Sequence, residues 1–442
     1  MRDGREEVDA DVGNEEVLER VGAIDVAKAS AKVCVRIPGG KRRITRVWDV
    51  GATTNAIMAL ADELAELQIE RVVLEATSDY WRPYFYLLEA RGLCVWLVNA
   101  RDVKNVPGRP KTDKLDSIWL AKLNERGMLR PSFVPPKEIR ELRDYTRLRA
   151  ELVEERSRYK NRVEKLLEDA LIKLSGVATD IFGKSGRAML EALIEGERDP
   201  EVLADLALGK MRKKSAALRE ALTGHFDAHH GELVRMLLDQ IDALSEKIDR
   251  ITARVNELVG QLPGHEPSVD PETGEIAPGA PPAIDRLDQV PGIGSRAAQV
   301  IIAEIGLDMT QFPTPAHLVS WAKLAPRTIQ SGPRSNGGRT GKGNPYLKSV
   351  MGEVASSAAR TDTFLGERYR RIARRRGRQR ALVAIARSIL VIVWHLLNDP
   401  DAHFVDLGSD FYEQRLNKDR KTRDLVRQLT ALGHQVTLSP AA

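Results

Sequence analysis

The sequence predicts an α/β domain built on a mixed sheet, followed by a longer all-α region. Three observations predict it. Near the N-terminus, three short β-branched runs joined by tight turns precede alternating helical and strand-like segments. Between Val234 and Leu258, aliphatic residues recur with gaps of three and four. A stretch rich in Pro and Gly, residues 261–283, lacks periodicity and separates that stripe from a last helical region.

Residues 1–20 form a polar, acidic tail. The first three strands are expected at Val21-Gly-Ala-Ile-Asp25-Val, at Ala31 to Ile37 and at Ile44 to Trp48, with Pro38-Gly39-Gly40 as a turn. A helix follows over Asn55 to Leu67, because Ile57, Leu60, Leu64 and Leu67 fall on one face. Next come a strand over Arg71 to Glu75, a helix around Tyr80 to Ala90, a strand over Leu93 to Val98 and a helix from about Thr112. The order βββαβαβα is that of ribonuclease-H-like domains, here residues 21–135.

Residues 136–260 are expected to be helical. Val234, Leu237, Ile241, Leu244, Ile248, Ile251, Val255 and Leu258 form a heptad seam of a coiled-coil segment, either one arm of an intramolecular hairpin or a dimer seam. Residues 261–283 are a linker. Residues 284–429 are a third unit, mostly helical, in which Val290-Pro-Gly292-Ile-Gly294 leading into Ser295 resembles a helix-hairpin-helix.

Composition narrows the function. Of 442 residues, 42% are hydrophobic, enough for sizeable cores, while aromatics at 5% and charged residues at 30% suit helical architecture over a β-sandwich. The net charge of +5 is modest, but basic residues crowd between Arg368 and Arg380, which favours a polyanionic partner over a neutral one. Cys34 and Cys94 lie in apolar runs without metal-ligand spacing and are expected to be buried, reduced thiols. The N-terminus lacks a signal-peptide pattern, and the apolar run from Ala381 to Leu397, broken by Arg387, is too short for a bilayer. A cytoplasmic protein associated with the nucleoid, and no membrane partner, is expected.

Four acids stand out. Asp25 lies inside an apolar strand, where an unpaired charge costs several kcal/mol on the order of magnitude. Glu75 ends the strand that would pair beside it, and Asp113 and Asp116 are three apart on one helical face. Each alone reads as a hydrogen-bonded core acid, a strand end or a helix cap. In a ribonuclease-H-like sheet all four meet at one edge, where an all-oxygen donor set suits Mg²⁺ or Mn²⁺. Two such ions about 4 Å apart can promote phosphodiester cleavage. In the third unit, backbone N–H groups at Gly292 and Gly294 can face a phosphate, unless that turn serves packing alone. The segment Trp321 to Asn344 is read as a loop in which Arg327, Arg334, Arg339 and Lys342 can neutralise phosphates; Arg374, Arg375 and Arg376 are further candidates for nucleic acid. A serine hydroxyl there could attack a phosphodiester, though no His or Asp stands close in the loop.

In order along the chain, Gly22-Ala-Ile-Asp25-Val-Ala-Lys28, Leu74-Glu75-Ala-Thr77, Lys111-Thr-Asp113-Lys-Leu-Asp116, Val290-Pro-Gly-Ile-Gly294, Leu324-Ala-Pro326 with Ser331-Gly332, and Gly343-Asn344 resemble the DEDD insertion-sequence transposases of the IS-one-ten type, the bridge-RNA-guided recombinases. The resemblance runs from about Val21 to Tyr412 and implies a metal tetrad of Asp25, Glu75, Asp113 and Asp116. It implies Ser331 as the nucleophile of a transient phosphoserine link, with Ser335 the alternative. It further implies double-stranded DNA (element ends and target) and a structured guide RNA as partners. The assembly implied is a dimer or tetramer in which one protomer's RuvC-like domain meets another's serine. Two departures stand out: Ser78 and Lys323 occupy positions where the family commonly has glycine. Two other functions fit parts of the sequence, a RuvC-type structure-selective endonuclease using water and a non-catalytic nucleic-acid scaffold.

Overall fold

The computed structural model describes residues 18–40, 42–75, 78–99, 113–262, 268–269, 276–277, 281–325, 328–332, 334–337, 340–415 and 418–439. Two compact units divide the chain, residues 1–134 and 135–442.

In the first unit the expected element order is found: β1 (Val21–Val26), β2 (Ser30–Ile37), β3 (Ile44–Gly51), α1 (Thr54–Glu66), β4 (Arg71–Glu75), α2 (Trp81–Ala90), β5 (Val95–Val98) and α3 (Asp113–Glu125). The five strands lie in the order β3-β2-β1-β4-β5. β2 runs antiparallel to β1 and β3, while β4 is parallel to β1 and β5. Two-residue alternation sorts the side chains into two layers. Ile24, Val26, Val33, Val35, Val72 and Leu74 pack under α1 and α2, against Ile57, Leu60, Leu64 and Leu88. Ala23, Cys34, Val73 and Val98 face α3, against Leu120, Ala121 and Leu123. Burial pushes the Cys34 thiol up to about 11, against the pull of Arg36 and Lys122, so it stays protonated. Cys94 corrects the expectation of two buried thiols: it is exposed, because the last strand starts only at Val95.

One polar knot pins α3 to this sheet. Asn124, fully buried, donates from Nδ2 to the Gly22 and Arg71 carbonyls at 3.1 Å each. Its Oδ1 accepts from Arg71 Nε at 2.8 Å, and the Arg71 guanidinium lies 3.8 Å from the centre of the Trp96 ring. Beside it, Glu125 accepts from Arg36 Nε at 2.6 Å and Arg43 Nε at 3.2 Å. Burial alone would raise the Glu125 carboxyl, but the hydrogen bonds and charges of these two arginines outweigh it and hold the group below its ordinary value.

In the second unit, α4 (Lys137–Asp169) and α9 (Ala228–Gly260) pack along each other. Arg254 reaches Glu141 at 3.2 Å, Arg156 reaches Ser245 at 3.1 Å and His230 meets Asp169 at 3.1 Å, so the helices are antiparallel. The α9 stripe (Val234, Ile241, Leu244, Ile248, Val255, Leu258) is buried. It packs within the chain, along α4. Leu238 takes the buried place assigned to Leu237, which sits at the edge. Between the arms lie α5 (Leu174–Val177), α6 (Lys184–Glu195), α7 (Pro200–Asp205) and α8 (Ser215–Leu222), with their own apolar cluster.

Within the supposed linker, β6 (Ser268–Val269) and β7 (Ile276–Ala277) pair as a minimal antiparallel ladder; the intervening residues lie outside the described ones. The remaining helices are α10 (Ala283–Asp288), α11 (Ser295–Ile305), α12 (Pro315–Trp321), α13 (Pro345–Ala358), α14 (Phe364–Arg376), α15 (Arg378–Asn398), α16 (Phe411–Gln414) and α17 (Lys418–Ala431). The hairpin and these helices form one unit, tied by hydrogen bonds from Arg149 Nη1 to Gln299 Oε1 and from Gln299 Nε2 to Asn256 Oδ1, both 2.8 Å. At 21 residues, α15 extends past the greasy run on its N-terminal side. It is long and apolar enough to cross a bilayer, which corrects the length argument. Its apolar face (Ile385, Ile389, Leu390, Val393, Leu396) is instead buried among α12, α13 and α14, as the core helix of this unit.

Candidate active site and nucleic-acid interface

β1 and β4 are parallel neighbours, and their register ends at Ile24 opposite Leu74. The next residue on each strand is an acid, Asp25 and Glu75, so both stand at the same end of the sheet. Asp25 has the parity of Ala23 and Glu75 that of Val73, so both belong to the face covered by α3. Glu75 is 8% exposed, and Asp25 is partly buried.

The direction of α3 completes the arrangement. Its C-terminal end is fixed by Asn124 to the Gly22 and Arg71 carbonyls, at the start of β1 and β4. The helix therefore runs back toward the strand ends that carry the acids. From Asn124 to Asp116 α3 covers about 12 Å, and the three strand steps from Gly22 to Asp25 cover about 10 Å. Asp116 is thus level with Asp25, and it shares the helical stripe of Leu120 and Leu123 that faces the sheet. Asp113 heads the same helix, one turn further on. The fold brings Asp25, Glu75 and Asp116 to one edge. Of the neighbouring motif residues, Thr77, Lys111 and Thr112 lie outside the described residues.

The basic segment expected to be a loop contains a hairpin, β8 (Thr328–Ser331) and β9 (Arg334–Gly337). Ser331 pairs with Arg334 and Gln330 with Ser335, so the two candidate serines occupy adjacent register positions on opposite strands. Gly332, at φ +60°, supplies the left-handed residue such a turn requires. Pro326, Arg327 and Arg339 lie outside the described residues, and Lys342 is exposed.

What anchors the end of this segment was missed in the sequence. Asn344 caps α13, its Oδ1 accepting from the Leu347 N–H at 3.1 Å, while its Nδ2 donates to Glu304. Glu304 is fully buried and receives a bidentate pair of bonds from Arg147 Nε and Nη2, both 2.8 Å. The hydrogen bonds to Glu304 raise the already basic Arg147 guanidinium against the cost of burial. The one signal available was a lone acid within the apolar run Val300-Ile-Ile-Ala-Glu304-Ile.

Gly292 and Gly294 have separate tasks. Gly292, at φ +93°, lies where a Cβ would come 2.5 Å from the Val354 carbonyl oxygen, so its missing side chain lets the α10–α11 turn seat against α13. Gly294 caps α11 with open space around it. That helix start borders a groove of about 1170 Å³ between α4, α11 and α13. Arg149, on its wall, is 3% exposed and pushed down to about 10 by burial and by neighbouring Arg296. Of Arg374, Arg375 and Arg376, the last two line a recess with other arginines, and Arg374 does not.

Among the described residues, Asp169, His229 and His230 come within metal-ligand distances of one another. His230 Nδ1 accepts from the Asp227 N–H at 3.1 Å, which leaves Nε2 to donate to Asp169 at 3.1 Å. Both ring nitrogens are used in closing the helix start, a structural task.

Comparison with known proteins places this geometry. Residues 22–172 match the family model of the IS110 DEDD transposases, described as "Transposase", and residues 284–370 match "Transposase IS116/IS110/IS902 family". The "Transposase for insertion sequence element IS1111A" of Coxiella burnetii is 22% identical over 399 residues, 87% of this chain and 91% of that protein. The "Insertion element IS110 uncharacterized 43.6 kDa protein" of Streptomyces coelicolor is 35% identical over 132 residues, 29% of this chain and 30% of that protein. The mixed five-stranded sheet and the helical unit fit the α/β-plus-helical architecture of these transposases. The chain belongs to the IS110 family of these enzymes.

Proposed function

We propose that this chain cuts and rejoins DNA strands to move an insertion sequence, using two sites carried on its two units. The observation that carries the reading is the meeting of Asp25, Glu75 and Asp116 at one end of the α3-covered face, with Asp113 one turn along. Their carboxylates are hard oxygen donors, a type of donor that fits Mg²⁺ or Mn²⁺. Asp25, Glu75, Asp113 and Asp116 would hold the ions, which supply charge neutralisation and activation of a phosphodiester. The β1 and β4 strands and the Asn124 anchor keep these carboxylates in place without rearrangement.

In the second site Ser331 is the nucleophile. Its Oγ bonds to phosphorus as the bond to one strand oxygen breaks, and that oxygen leaves protonated as a free strand end. The reverse step, with a new strand hydroxyl attacking the phosphoserine, joins the exchanged strand and restores the serine. The glycine-rich hairpin lets the backbone approach, and Arg327, Arg334, Arg339 and Lys342 supply positive charge. Gly294 and the helix start it caps offer N–H groups to backbone phosphates, Gly292 shapes the turn, and Arg374, Arg375 and Arg376 extend the basic surface. Partners in this reading are double-stranded DNA, a structured guide RNA and further copies of the chain, in a cytoplasmic setting.

The test is covalent trapping in cells carrying the whole element. Wild type should yield protein-linked DNA after denaturation, and Ser331→Ala should yield none. Adduct retained in Ser331→Ala but lost in Ser335→Ala would move the nucleophile. Nicking retained with no adduct in any form would establish a water-using nuclease instead. Asp25→Asn should abolish cleavage and keep nucleic-acid binding; normal strand exchange by that variant refutes the tetrad.

A further inference from the structure

The basic run on α14 is not a uniform charged surface. Arg368, Arg371, Ile372, Arg375 and Arg376 fall on one helical face and, with Tyr412, line a recess of about 300 Å³. Among the described residues, no carboxylate lines it. Two acids of the neighbouring segment are engaged elsewhere, Glu367 with Arg370 Nε at 2.8 Å and Asp362 with Arg370 Nη2 at 3.5 Å.

The recess is built by aromatic packing. Phe364 stacks on Tyr412 with centroids 5.5 Å apart, and Phe411 meets both rings edge-on. That packing holds the Tyr412 ring under the Arg371 guanidinium, 4.7 Å away, and its hydroxyl 3.2 Å from Arg368 Nη1. Arg368 Nε is buried and has no hydrogen-bond partner. A buried orphan donor on a cation is costly to leave unmade, and Arg368 lines a recess shared with three other arginines.

We propose that this recess seats one phosphodiester of a nucleic-acid backbone. The phosphate oxygens accept from Arg368 Nε, from the Arg371 and Arg375 guanidinium groups and from the Tyr412 hydroxyl. The site reads backbone, not bases, and fixes where the strand crosses α14. This rests on the reading above that the chain acts on nucleic acid, and it adds a defined contact outside both proposed catalytic sites.

The experiment titrates full-length protein with a short fluorescent DNA duplex and with a single-stranded RNA of equal length, over a range of salt. Arg371→Gln/Arg375→Gln removes two exposed side chains, and circular dichroism should match wild type. Binding of the strand that uses the recess should weaken by about tenfold. The slope of log affinity against log salt should fall by about 0.9 for duplex or 0.7 for RNA. Whichever probe responds identifies the strand. Tyr412→Phe keeps the ring and loses only the hydroxyl, with an expected loss of about threefold. Arg378→Gln, exposed and outside the recess, is the charge control and should lose less than twofold. An equal loss in the control, or unchanged affinity and slope in the double variant, overturns the recess while wild-type binding stands. Failure of wild type to bind either probe would overturn the nucleic-acid reading with it.

Discussion

Replacing Asn124 with Ala tests whether the polar knot under α3 is what sets the carboxylates in register. The side chain makes three bonds inside the first unit: two to the carbonyls of Gly22 and Arg71 at 3.1 Å, and one from Arg71 Nε at 2.8 Å. At about 1 kcal/mol for each, with a small cavity added, the loss should be about 3 kcal/mol. Hydrogen exchange read by mass spectrometry suits the question, because peptides from β1, β4 and α3 report on this unit apart from the helical one. A 3 kcal/mol loss accelerates exchange through unit-wide opening by about a hundredfold. Peptides of α4 and α9 should exchange as in wild type. If β1 and β4 peptides changed by less than about threefold, the knot would not be holding the helix. The account of why Asp116 lies level with Asp25 would then fail with it.

Three further outcomes are expected. Arg147→Met leaves Glu304 buried without its bidentate partner and should cost about 3 kcal/mol in urea unfolding followed by circular dichroism; Arg147→Met/Glu304→Gln should recover at least 1 kcal/mol of the summed single losses, and strict additivity would refute the coupling. Ser78 holds φ +48° without being glycine, so Ser78→Gly should stabilise the first unit by about 0.5–1 kcal/mol by hydrogen exchange, and destabilisation would show that its side chain is needed. Glu125 is held below its ordinary value in the fold, so its contribution is present above the unfolded value and lost as pH falls through the folded one. Glu125→Gln should therefore cost about 1–2 kcal/mol at neutral pH, and its difference from wild type should shrink below about pH 4; a difference that stays constant with pH would refute the linkage.

Much of the first unit was legible because a two-residue alternation is hard to counterfeit. Val33, Val35, Val72 and Leu74 declared one face, and Asp25 and Glu75, falling where the other face ends, declared an edge. The helical unit was harder. A heptad stripe says that α9 has a partner but not which chain supplies it, and Leu237 and Leu238 are equally apolar, so only packing chose between them. The serine hairpin hid because its strands, Thr-Ile-Gln-Ser and Arg-Ser-Asn-Gly, carry a single large aliphatic residue. Glu304 and the arginine recess depend on partners distant in sequence, Arg147 and Tyr412, which no local spacing announces. Ser78 and Lys323 both adopt positive φ, the region that favours glycine.

The contact between Asp169 and His230 has a wider consequence. One residue ends α4 and the other lies in the first turn of α9, so the chain returns to the point it left and residues 170–227 form a detour that begins and ends at one spot. Such a detour is a socket: length can be gained or lost there while the two long helices keep their pairing. Its floor sets the terms of exchange. Val163, Leu167, Val234, Leu238 and Ile241 belong to the same apolar cluster as the detour itself. Any module that replaces it must bring a greasy underside of matching shape, or leave those five side chains in water.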